Sequence, residues 1–186
     1  MAKVNQRVAI SKYLMKEGLL RLLKKKHINK ISVSELCQEA QINRTTFYRY
    51  YQTPQDILQE IALDYVKEFS DQAGSAKKAE DIKAYVMQLC IFLHDRADMV
   101  KLFMRNDTGV DFSRIFQMLS EEFLGARTVL YRGRAVDDAT LRLMNTFFSS
   151  GIYALIRQWL MEDISKTPEE IAELLSCSFH MDFSFE

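Results

Sequence analysis

The sequence predicts an all-α protein of about nine helices, and three observations carry that prediction. Apolar residues recur at helical rather than alternating spacing along almost the whole chain. Glycine and proline, the usual punctuation of strands and turns, number only 6 and 2 among 186 residues. Capping signals stand where the helical patterns begin: Ser32 with Glu35, Asn43, Thr53 before Pro54 and Asp56, and Thr167 before Pro168, Glu169 and Glu170. With 48% hydrophobic residues the chain has enough apolar material for one or two cores.

In the first helix Val8, Met15, Leu19, Leu22 and Leu23 share one arc, while Ile10, Tyr13 and Leu20 lie near the opposite side. That pattern predicts cover on both faces. After Lys24, Lys25 and Lys26, the Ser32/Glu35 pair has the spacing of a capping box, in which the hydroxyl takes an orphan backbone donor and the carboxylate reaches back. A short helix therefore starts near Val33, presents Leu36, Cys37 and Ala40, and ends around Gln41 or Ile42, because Asn43 caps the next one. Two short helices about a tight turn make a helix-turn-helix, with Gln41 where glycine is common.

Thr53 opens a fourth helix whose stripe is Ile57, Leu58, Ile61, Ala62, Tyr65, Val66 and Phe69, ending near Gly74. The stretch DQAGSAKKAED is the one plausible joint between domains, and it is short. Further helices are expected over roughly 79–94, 96–105, 110–131, 137–162 and 167–180. The division this gives is a helix-turn-helix domain over 1–52, a connecting fourth helix over 53–73, and a helical regulatory and dimerisation domain over 74–186.

The stretch INRTTFYRYY, Ile42 to Tyr51, has four aromatic rings and two arginines with no carboxylate. On a helical wheel Arg44, Tyr48, Thr45 and Arg49 span an arc of about 140°, Phe47 and Tyr51 lie at about 300–340°, and Thr46 and Tyr50 fall between. The two rings turn inward, toward Leu36, Ala40 and Ile42, and the polar arc turns out. An outward Arg-Thr-Tyr-Arg arc suits a helix in the DNA major groove. Arg pairs with guanine O6 and N7, a Thr methyl meets thymine, and Tyr reaches phosphate. The helix starts near Ser32 and Thr53 add amides that favour phosphate. The other reading of the stretch is a surface helix with incidental arginines.

Charge supports the first reading. Through Gln52 there are 11 Lys and Arg against 3 acids, a balance of +8, and the remainder has 14 against 22, a balance of −8. Such asymmetry points to a nucleic-acid-binding part joined to a part that binds something else, although Lys24 to Lys26 also suit a solvated helix end. Cys37, Cys90 and Cys177 are widely spaced and read as reduced, buried thiols. Without a long apolar run or a signal-peptide core, a cytoplasmic protein with no membrane contact is expected.

The stretch ISVSELCQEAQINRTTFYRYYQTPQDIL resembles the DNA-binding region of the TetR-like transcriptional repressors. The matching residues are Thr46, Phe47, Tyr48, Tyr50 and Tyr51, the last where Phe is more usual. SGIYALIRQWL followed by TPEEIAELL resembles the C-terminal region of a branch common in low-GC Gram-positive bacteria. The resemblance implies base contacts at Ser34, Arg44 and Thr45 and phosphate contacts at Thr46, Tyr48 and Tyr50. Pro54 falls near the place of a phosphate-binding lysine, for which Thr53 and the helix N-terminus substitute. The DNA-contacting set is thus Ser32, Ser34, Asn43, Arg44, Thr45, Thr46, Tyr48, Arg49, Tyr50 and Thr53.

The resemblance also implies a second domain with a dimer interface and an effector cavity. Leu141, Met144, Phe148, Gly151, Leu155 and Trp159 form one stripe and Ile171, Leu174 and Leu175 another, which fits either a two-fold four-helix bundle or the protomer's own core. Phe148, Gly151, Leu155, Trp159, Ile171, Leu174 and Leu175 are the interface candidates. For the pocket they are Tyr85, Met87, Phe92, Met99, Phe103, Met104, Phe116 and Met118, residues that equally suit plain core. No ligand, cofactor or metal is identified by these residues.

Catalysis has no support. His94-Asp95 invites comparison with metal-dependent hydrolases, but His27 and His180 stand at no useful ligand spacing, and no phosphate loop or nucleophile elbow occurs. The expectation is a homodimeric, ligand-responsive repressor that binds a double-stranded, pseudopalindromic operator and answers to an unidentified small-molecule effector. The alternative is a non-DNA-binding co-activator or adaptor of the same fold, which should have lost Arg44, Arg49 and the positive balance.

Overall fold

The computed structural model describes residues 2–74, 82–105, 112–124, 130–131, 134–162 and 164–179. Among them are nine α-helices: α1 (Ala2–Leu23), α2 (Val33–Glu39), α3 (Arg44–Tyr48), α4 (Pro54–Gln72), α5 (Ile82–Asp95), α6 (Ala97–Arg105), α7 (Phe112–Leu124), α8 (Asp138–Met161) and α9 (Pro168–Phe179). A 3-10 turn, Ile28–Lys30, precedes α2. The protein is all-α as its sequence predicts, with one correction. The helix expected over 110–131 ends at Leu124, and β1 (Leu130–Tyr131) pairs antiparallel with β2 (Arg134–Ala135). Tyr131 is β-prone, and at Leu130 and Tyr131 the antiparallel pairing overrides the helical period.

By compactness the chain forms two units, Met1–Tyr65 with Leu102–Val110, and Val66–Lys101 with Asp111–Glu186. The division falls inside α4.

In the first unit Met15, Leu19, Leu22 and Leu23 of α1 are buried with Leu36, Cys37, Ala40, Phe47, Ile57, Leu58, Ile61 and Ala62. Each large apolar side chain so covered contributes about 1.5–3 kcal/mol. Gly18 lets α1 approach the end of α2: a Cβ there would lie 3.0 Å from the Ala40 Cβ and 3.2 Å from its backbone. The second face of α1 is less covered than the sequence predicts, since Leu20 is half-buried but Ile10 is 51% and Tyr13 62% exposed.

Between α2 and α3 the chain turns through Gln41 at φ 54. The Ile42 amide donates to the Cys37 carbonyl at 3.0 Å and the Gln41 amide to that of Gln38 at 3.2 Å, a Schellman stop. The glycine role falls to a residue whose Cβ makes it cost on the order of 1 kcal/mol.

In the second unit Phe69 of α4 is the aromatic centre, 5.3 Å from the Tyr85 ring and 5.4 Å from Phe92. The Tyr85 hydroxyl donates to the Leu119 carbonyl at 3.3 Å and so joins α5 to α7. α5 packs mainly on α9, and α7 on α8. Trp159 is 3% exposed, stacks on His94 at 5.7 Å, and donates its indole N–H to the Lys166 carbonyl at 3.0 Å. The start of α9 is a reciprocal box. The Glu170 amide donates to Thr167 Oγ1 at 3.3 Å, and the Thr167 amide donates to the Glu170 carboxylate at 2.9 Å.

The buried face of α8 is Asn145, Ser149, Ile156, Trp159 and Leu160. Its two polar members are satisfied: the Ser120 hydroxyl of α7 donates to Asn145 Oδ1, and Ser149 Oγ donates to the Thr146 carbonyl at 3.3 Å. Opposite lie Leu143 at 73% and Phe147 at 70% exposed, with Ser150, Gly151 and Ala154.

Candidate nucleic-acid interface

α3 has five residues and cannot hold a helical shape alone, so its ends are fixed from outside. Asn43 Oδ1 accepts from the Thr46 amide and hydroxyl, both at 2.9 Å. At the other end the Tyr51 amide donates to the Phe47 carbonyl at 3.0 Å. Phe47 is fully buried and Tyr51 is 5% exposed, while Arg44, Thr45, Tyr48 and Arg49 are exposed. Thr46 and Tyr50 are intermediate, as their places between the arcs require.

The remaining members of the set divide by role. Ser34 is exposed in the first turn of α2. Ser32, Asn43 and Thr53 are exposed caps whose side chains accept from Glu35, Thr46 and Asp56 amides. The capping box expected at Ser32 is half-formed, because the Glu35 carboxylate pairs with Lys26 at 2.5 Å instead of turning back. At the start of α4 the Asp56 carboxylate accepts from the Gln52 amide at 2.7 Å and the Thr53 amide at 2.9 Å. These bonds hold its pKa below the ordinary value. Two amides at that helix start are therefore already taken by a carboxylate.

The positive charge of the first 52 residues is sorted as well. Lys12 and Lys16 pair with Glu60, Lys16 also with Asp64, Arg21 with Glu39 and Lys26 with Glu35, at 2.5–2.8 Å. Arg7, Lys24, Lys25, Lys30, Arg44 and Arg49 are exposed, and among the described residues none of them is in an ion pair. The bare +8 balance therefore overstates the field, which among the described side chains concentrates on these six.

Glu60 was missed by sequence reasoning. It accepts from Lys12 and Lys16 at 2.8 Å each and from the Tyr51 hydroxyl at 3.0 Å. Burial alone would raise its pKa, but the bonds from Lys12, Lys16 and Tyr51, with the Lys16 charge, outweigh burial and hold it at about 2. Burial first, and then the neighbouring Glu60 and Asp64, push the Tyr51 hydroxyl upward, so it stays a donor. A signal was present: acids recur at every fourth residue of α4, Asp56, Glu60, Asp64 and Glu68, and the middle two match the Lys12/Lys16 spacing on α1.

The interface and pocket candidates scatter. Trp159, Ile171 and Leu175 are 3–4% exposed within the protomer's own core, which removes them from a surface. Phe148 and Leu155 are half-buried, whereas Gly151 is exposed and Leu174 is 54% exposed. Of the pocket set, Tyr85 and Phe92 join the Phe69 cluster and Phe116 meets Tyr153 at 5.6 Å. Met87 and Met99 are half-buried. Phe103 and Met104 belong to the first unit, where Phe103 meets Tyr65 at 6.0 Å. Met118 is 40% exposed, because it lies about 200° round α7 from Phe116.

Burial pushes the Cys90 thiol up to about 12, and Cys37 is raised for the same reason, so both behave as buried thiols. The side chain of Cys177 and all of His180 lie outside the described residues. No described helix is long and apolar enough to cross a membrane.

A capped helix-turn-helix on one compact unit, joined through α4 to a second helical unit, defines the class of helix-turn-helix regulators. Residues 80–180, more than half of the chain, match the TetR-type transcriptional regulator C-terminal region. The chain belongs to that family of transcriptional regulators, which are not enzymes. It is 22% identical over 165 residues to an uncharacterised HTH-type transcriptional regulator, YxbF, of Bacillus subtilis. The match takes in 86% of this chain, which spans 42% of that relative's length. Its fold is similar to that of the dihydroxyacetone kinase operon activator DhaS, with a TM-score of 0.56 at 18% identity over 92% of this chain and 93% of the other.

Proposed function

We propose that this chain is a DNA-binding regulator, a ligand-responsive repressor that acts as a homodimer on a pseudopalindromic operator. One observation carries the reading: α3 turns Arg44, Thr45, Tyr48 and Arg49 outward with no acid partner among the described residues, while Lys12, Lys16, Arg21 and Lys26 are neutralised. Arg44 reads a base, and Lys24, Lys25 and Lys30 supply sequence-independent attraction to phosphate. The second copy docks through the exposed α8 face, Leu143, Phe147, Gly151 and Ala154, with Leu174 of α9. Two-fold pairing would place the recognition helices about 34–36 Å apart in successive major grooves. The effector acts on the second unit, and α4, whose residues belong to both units, carries the signal.

The test is to sequence the genomic DNA fragments that the purified protein retains, and then to titrate the recovered site. Arg44→Ala should weaken that site by about 1–3 kcal/mol and relax one position, with scrambled DNA little affected. Equal losses on both duplexes would sink the assignment.

One observation favours the adaptor reading. Ile10, Tyr13 and Leu14 leave an apolar strip exposed on α1, which suits a protein partner. Failure to retain any DNA fragment would favour that reading. Bound at its operator the protein represses, and a reporter assay with and without the protein distinguishes this from activation.

A further inference from the structure

The recognition helix is anchored by two rings of different kinds. Phe47 is held by apolar packing, which is non-directional. Tyr51 is held by a charge-assisted hydrogen bond from its hydroxyl to Glu60 at 3.0 Å, and such a bond fixes direction as well as distance. The carboxylate is itself pinned. Its Oε2 takes Lys12 and Tyr51 and its Oε1 takes Lys16, while the Lys12 ammonium lies 5.3 Å from the centre of the Tyr51 ring.

From Tyr51 the contacts continue outward. Its ring lies 6.1 Å from Phe47, and Phe47 meets Tyr48 edge-on at 5.3 Å. Tyr48 is 59% exposed on the outward arc. An unbroken series of contacts, Glu60 to Tyr51 to Phe47 to Tyr48, thus runs from α4 to the face of α3.

We propose that Glu60, acting through the Tyr51 hydroxyl, is a positioning residue that sets the angle at which α3 presents Arg44, Tyr48 and Arg49 to base edges. The proposal rests on the DNA-binding reading above. Base-edge hydrogen bonds need side chains held to within about 0.5 Å and 10–20°, whereas attraction to phosphate does not. Loss of the bond should therefore damage sequence discrimination and spare general affinity.

Tyr51→Phe removes the hydroxyl and leaves every charge in place. It should weaken the duplex recovered from the genomic selection about tenfold, while affinity for a scrambled duplex and the slope against salt stay within about twofold. Glu60→Gln added to Tyr51→Phe should lower the ratio of the two affinities no further, because the two residues act through one bond. A purely structural role would lower the melting temperature and weaken both duplexes by the same factor, which overturns the proposal, as does an unchanged ratio. Amide hydrogen exchange on the free proteins supplies a readout that needs no DNA: the Phe47 and Tyr51 amides should exchange faster in Tyr51→Phe. If the wild type retains no DNA the functional reading fails separately, and unchanged exchange at those amides overturns the positioning role by itself.

Discussion

α3 and α8 both mix polar with apolar residues, and they use them in opposite ways. In α3 the polar arc, Tyr48 included, faces outward and Phe47 faces in. In α8 the polar Asn145 and Ser149 are 4% and 2% exposed, while Leu143 and Phe147 are over two-thirds exposed. The difference lies in the partners. Nothing among the described residues pairs with Arg44 or Arg49, whereas Asn145 meets Ser120 of α7, and a satisfied amide costs little to bury. The exposed apolar face of α8 is the one on which the proposed second copy would dock.

The largest effects should test that division in α8. Trp159→Ala removes a buried ring and its hydrogen bond to Lys166, and should cost about 3–5 kcal/mol in denaturant unfolding. Phe147→Glu, on the exposed face, should leave stability within about 0.5 kcal/mol but convert the proposed dimer to a monomer by light scattering. A folded Phe147→Glu dimer would remove α8 from the interface.

Polar residues sharpen the comparison at a smaller scale. Asn145→Ala leaves the Ser120 hydroxyl without its acceptor and should destabilise by about 1–3 kcal/mol. Thr45→Ala, on the outward arc of α3, should change stability by under about 0.5 kcal/mol. Similar losses from the two would mean that α3 and α8 do not differ as described.

The smallest effect is confined to acid. Glu60 has its folded pKa depressed to about 2 from an ordinary 4.5, so its contribution is fully present above about pH 4.5 and is lost as pH falls toward 2. The stability gap between wild type and Glu60→Gln should close across that window, while the gap for Asn145→Ala, whose carboxylate contact is the long Asn145 Nδ2 bond to Glu121 at 3.5 Å, should change much less. Acid titration of all three proteins by circular dichroism checks it, and a Glu60→Gln gap that persists to pH 2 removes the carboxylate's role.

The sequence by itself determined the all-α class, the caps at Ser32, Asn43, Thr53 and Thr167, and the two faces of α3, because each of those signals acts within a turn or two of its own helix. The stripe Leu141, Met144, Phe148, Gly151, Leu155 and Trp159 was legible too, but it runs along the half-buried flank of α8, with Gly151 exposed and Trp159 in the core. Only the tertiary structure decided that register, since hydropathy ranks Asn145 and Ser149 as outward residues and the acceptor needed by Ser120 lies 25 positions away. Only it decided, too, which cations remain unpaired. Charge along a chain can be counted, but neutralisation of Lys12 and Lys16 depends on α4 laying Glu60 and Asp64 against them, 48 residues further on.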